Sequence, residues 1–118
     1  MAWISQDEKK ALAPAIKSVL AKYGMKGSIG IRHHSTLVVN LQAGAIDFGR
    51  DYLQVNEHCI DRNYTGVARD FLTELHAAML GPGWFDKSDI TTDYFHVKHY
   101  ISINVGQWNK PYILKADA

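Results

Sequence analysis

Apolar positions along this chain follow two rhythms, one of period near 3.6 and one of period 2. Ala13, Ile16, Val19 and Leu20 fall at helical spacing with Lys17 and Lys22 opposite them, the pattern of a helix whose apolar stripe faces a core. Ser5 and Glu8 form an S-x-x-E capping signature ahead of that run, and Gly24 supplies its stop. Pro14 removes one intrahelical donor, so the sequence predicts a single kinked helix over residues 6 to 23. A second stripe, Val67, Ala68, Phe71, Leu72, Leu75, Ala78 and Met79, runs from a Thr65 cap to the Gly81-Pro82-Gly83 punctuation.

Between and after these helices the period drops to 2. Ser28 to His33 places Ile29, Ile31 and His33 on one face and Ser28, Gly30 and Arg32 on the other, and Thr36 to Leu41 is β-branched and apolar. With His34 and Ser35 between them, these runs predict an antiparallel hairpin, although no Asn-Gly turn signal fixes its register. Gln42 to Asp51 reads as a loop with a brief extended piece at Ala45 to Phe48. Residues 52 to 57 alternate as a third strand until DRNYTG breaks it. Phe95 to Val105 puts Phe95, Val97, His99, Ile101 and Ile103 on one face, which predicts a long central strand, and KPYIL adds a short edge segment. The expected architecture is α+β in the order α-β-β-β-α-β, an antiparallel sheet of about four strands with both helices on one face, in one domain over residues 1 to 118.

Composition narrows the function classes. The chain is 47% hydrophobic and 21% charged, ordinary globular values. Thirteen Lys and Arg against twelve Asp and Glu leave a formal charge of +1, too little to recruit nucleic acid or an anionic membrane through the overall field. The single Cys59 excludes an internal disulfide, and MAWISQDEKK has no apolar h-region. No run long enough to span a bilayer occurs, so the expected compartment is the cytoplasm, with no membrane association.

Candidate chemistry gathers at two places. Arg32, His33, His34, Ser35 and Thr36 offer hydrogen-bonding groups at the hairpin tip, suited to an anion or a partner surface; the plain alternative is a solvated turn. The stretch Trp84 to Pro111 combines Asp86, Asp89 and Asp93 with Trp108 and Lys110. Its acidic loop can face a basic groove, and an indole in a polar setting can anchor an interface. Against this stands ordinary turn-forming and core-filling use of the same residues. The histidines and aspartates invite a metal, but their spacing matches no known ligand set, and no cofactor is implied. His58 beside Cys59 suggests a nucleophile and base, yet neighbours on an extended chain diverge and a structural Cys is the better reading. No catalytic residue is assigned.

The stretches RHHSTLVV, YLQVN, GVARDFLTEL and TDYF…HYISINVGQWNKPY resemble a group of small uncharacterised proteins of phages, plasmids and prophage regions, over nearly the whole chain. The first helix and hairpin also resemble, more weakly, the large polyvalent protein-associated domains of mobile elements. The resemblance implies an accessory binding protein of a mobile element that blunts host defence, of the anti-CRISPR or anti-restriction type. The expected partner is then a host protein or ribonucleoprotein complex, with nucleic acid less favoured. An unpaired sheet edge permits a homodimer. The competing readings are a small metal-dependent hydrolase or nuclease using His33, His34, Asp86, Asp89 and Asp93, and a nucleic-acid adaptor.

Overall fold

The computed structural model describes residues 3–49, 52–56, 59–81, 99–106 and 110–114. Helix α1 (Gln6–Lys22) begins where the capping signature places it: Ser5 Oγ accepts the Glu8 backbone N–H at 3.1 Å, satisfying one donor that a helix start leaves orphaned. Pro14 sits on the exposed side of this one helix. Gly24, at φ 66°, then turns the chain directly into β1 (Met25–Arg32). A left-handed residue here is the common way for a helix to end.

β1 pairs antiparallel with β2 (Thr36–Gly44), which runs past Leu41 where the sequence pattern fades. After β3 (Leu53–Val55) come the one-turn helix α2 (Ile60–Asn63), the long helix α3 (Gly66–Leu80), β4 (Tyr100–Val105) and β5 (Ile113–Leu114). The expected central strand and the short C-terminal segment are both present, while Phe95 to Lys98 lie outside the described residues.

The expected antiparallel sheet is corrected. Among the described residues five strands form a mixed sheet in the order β1-β2-β4-β3, with β5 pairing β2 beyond the end of β4, and β2 runs parallel to both β4 and β5. Parallel neighbours need a long crossover, and the chain between β2 and β4 supplies one that contains α3. That crossover delivers Tyr100, the first residue of β4, beside Thr36, the first residue of β2. Alternation in the sequence reports which face a side chain takes, and carries no information about the direction of the neighbouring strand. Among the described residues three helices stand where two were expected, because the segment read as a break closes one turn as α2.

Helices α1 and α3 share one face of the sheet. Ile16 and Leu20 of α1 and Phe71, Leu72, Leu75 and Met79 of α3 pack with Leu37, Val39 and Leu41 of β2 and Ile103 and Val105 of β4. Each such fully buried side chain contributes roughly 1.5–3 kcal/mol. Val67, expected in the α3 stripe, instead faces outward. His99 lies on the core face that its alternation predicts, 1% exposed, with its ring Nε2 2.9 Å from the Met79 carbonyl oxygen. At the far end of the core Phe48 meets Phe71, Tyr64 and Tyr112, and the Tyr112 hydroxyl donates to the Ile46 carbonyl at 2.8 Å. Burial pushes the Tyr112 phenol up to about 12.

Candidate functional site

The hairpin tip is built from strained backbone. His33 and His34 take φ 55° and 58°, and the Ser35 N–H closes the turn on the Arg32 carbonyl at 3.3 Å. Two successive positive φ values fit the twist of a hairpin, but an L-residue there costs about 1–2 kcal/mol. The His33 placement corrects the expectation that strand alternation carries it onto the face of Ile29 and Ile31: it stands in the turn, exposed.

Contacts from two distant segments hold this geometry. The Ile4 N–H donates to the His34 carbonyl at 2.9 Å, and the Tyr100 N–H donates to the Ser35 carbonyl at 2.8 Å. Ile4 itself is buried, which fixes Trp3 beside the tip. The Trp3 indole lies on the His34 imidazole with ring centroids 5.6 Å apart and planes 15° from parallel. Strained positions persist where the surroundings over-determine them, and they cluster at binding and catalytic sites.

On the sheet face opposite the helices, Arg32, Thr36 and Tyr100 form a row across β1, β2 and β4. Arg32 is exposed, and Trp3 and Tyr100 are 55% and 52% exposed. The tip therefore presents an indole, an imidazole, a guanidinium and a phenol from three stretches of chain. Of the residues expected from the sequence, Arg32, His33, His34 and Ser35 meet here, and Lys110 is exposed at the other end of the sheet. Asp86, Asp89, Asp93 and Trp108 lie outside the described residues. Trp3 and Tyr100 were missed as members of this site. Trp3 precedes the helix cap with no pattern around it; for Tyr100, its polar-face position in the β4 alternation was the available signal.

A second polar cluster ties α1 to α3. Lys22 Nζ donates to Glu74 Oε1 at 2.8 Å, and the Tyr23 hydroxyl donates to Glu74 Oε2. The hydrogen bond to Glu74 raises both Lys22 and Tyr23 above their ordinary values, and the Lys22 and Tyr23 hydrogen bonds lower Glu74. These shifts hold the lysine charged, the phenol neutral and the carboxylate ionised, which suits a tie between helices and not a poised acid or nucleophile. An open polar cleft of ≈ 600 Å³ lies alongside, lined by Tyr23, Asp61, Arg69, Asp70, Thr73 and Glu74.

Among the described residues no group of three or more His, Cys, Asp or Glu side chains is placed to hold a metal ion. Cys59 is a free, half-buried thiol at the start of α2, where its carbonyl accepts the Arg62 and Asn63 N–H groups. Among the described residues no helix is long and apolar enough to cross a membrane. No family model, curated protein or solved structure matches the chain.

Proposed function

We propose that this chain is a non-enzymatic binding protein that engages a partner protein through the hairpin tip. The observation that carries the reading is the Trp3 indole seated on the imidazole of His34, a residue itself fixed at positive φ by backbone hydrogen bonds from Ile4 and supported next door by Tyr100. Tryptophan, tyrosine and arginine dominate binding energy in protein interfaces, and a pre-ordered surface loses less entropy on docking. The formal charge of +1 favours a protein surface over bare nucleic acid.

The resemblance to phage and plasmid proteins supplies a setting, in which a mobile element uses this surface to occupy a host defence protein or ribonucleoprotein complex in the cytoplasm. Capture from a host lysate by the immobilised chain tests it. A partner retained by the native chain is released by a Trp3→Ala, His34→Ala double variant and kept by Val67→Ser on the outer side of α3. Retention by the double variant with its fold intact contradicts the proposal.

A further inference from the structure

Gln42 is the residue of β2 at which pairing fails on both sides. Toward β1 the register shifts between Lys26 and Gly27, so that Leu41 pairs with Gly27, Ala43 with Lys26, and Gln42 with neither. Toward the other neighbours, β4 pairs through Leu41 and β5 takes over at Ala43. The Gly106 N–H closes the end of β4 on the Leu41 carbonyl at 2.8 Å. Strands bulge where a side chain is re-aimed, often beside a binding site. Gly27 permits the close approach, since a Cβ there would stand 2.9 Å from the Asn40 carbonyl oxygen.

A groove of ≈ 580 Å³ opens at this break, lined by Ser28, Asn40 and Gln42 of the β1–β2 pair and by Lys110, Pro111 and Ile113 of the C-terminal segment. That volume is in the range of small-molecule sites. Asn104 Nδ2 donates to Asn40 Oδ1 at 2.9 Å from the β4 side, which orients the Asn40 carboxamide with its Nδ2 group as the donor end. Serine, glutamine and lysine add further donors, and no carboxylate side chain is among the described residues that line it.

We infer that this groove is a binding site for a small organic anion, a carboxylate or a phosphate ester, held by the Lys110 ammonium and the Asn40 and Gln42 carboxamides. It lies six residues along β2 from Thr36, or about 20 Å from the tip at the rise of a strand, and is independent of the protein-binding surface.

Side-chain amide NMR of the full chain tests the inference, with sodium phosphate and sodium acetate titrated separately against sodium chloride at matched ionic strength. The expected result is a saturable shift of the Asn40 and Gln42 amide signals with one or both anions and not with chloride, phosphate alone marking a phosphoryl ligand and acetate alone a carboxylate. Lys110→Gln, at an exposed position, raises the dissociation constant about tenfold, the scale of one charge-assisted hydrogen bond. Gln42→Ala weakens binding and leaves the Asn40 response in place. No saturable shift with either anion, or equal affinity in Lys110→Gln, overturns the inference.

Discussion

The imidazole of His34 is held between a backbone that would ordinarily reject it and an indole that covers it. Its φ is 58°, and the Trp3 ring stacks on it at 5.6 Å between centroids. Residues 31 positions apart in sequence thereby stabilise one turn, and the N-terminal segment becomes part of the hairpin. This pairing decides what substitutions at the tip do.

His33 carries the backbone cost without that stack. Because its side chain is exposed, His33→Gly removes a left-handed L-residue at little loss of packing. Relief of about 1–2 kcal/mol is partly offset by the greater freedom of glycine in the unfolded chain, about 0.4–1 kcal/mol. Urea denaturation is expected to show a small net gain in stability for His33→Gly and a loss for His34→Gly, which also removes the Trp3 contact.

Gly81 ends α3 at φ 74°, and a Cβ added there would stand 2.5 Å from Leu12 Cδ2 of α1. Gly81→Ala therefore suffers both left-handed strain and a clash between helices, and is expected to lose about 2 kcal/mol or more. A double-mutant cycle with Leu12→Ala separates the two causes. The cycle recovers the steric part, with a coupling of at least about 0.5 kcal/mol, and leaves the backbone part behind.

The dependence on pH has a sign at each end. Glu74 is lowered by its hydrogen bonds from Lys22 and Tyr23, so its contribution is present above its ordinary value of 4.5 and is lost as pH falls through the depressed folded value. Its exposure makes this loss small. Tyr112 is raised to about 12 by burial. The folded state keeps its proton while the unfolded state releases it near 10.0, so stability declines as pH rises from 10.0 toward about 12. Denaturation across the alkaline range is expected to show a shallower decline in Tyr112→Phe. At neutral pH that variant is weaker by about 1 kcal/mol because the Ile46 carbonyl loses its donor.

What could be read from the sequence was whatever local pattern determines. Ser5, Glu8 and Gly24 bracket α1 because capping is a matter of neighbours, and alternation assigned His99 to the core and Arg32 to the opposite face. The parallel pairing of Thr36 with Tyr100 was illegible because the crossover containing α3 fixes it. The positive φ values at His33 and His34 had no Asn-Gly or Asp-Gly signal, since contacts from Trp3, Ile4 and Tyr100 stabilise the turn in place of favourable turn residues. The break at Gln42 likewise depends on where β4 ends and β5 rejoins, and residue order alone encodes neither. The acidic turn from Asp86 to Asp93 and Trp108, which composition marks as candidate binding edges, lie outside the described residues.

The central claim is that the tip binds because Trp3 and His34 are pre-ordered as one surface. Its most direct test is the dissociation constant of the captured partner for the native chain, Trp3→Ala, Tyr100→Ala and Val67→Ser, each checked for an unchanged fold by circular dichroism. The account predicts a loss of about thirtyfold or more for Trp3→Ala, the scale of an interface residue worth 2 kcal/mol, a smaller loss for Tyr100→Ala, and none for Val67→Ser. An affinity unchanged by Trp3→Ala in a folded chain would contradict it.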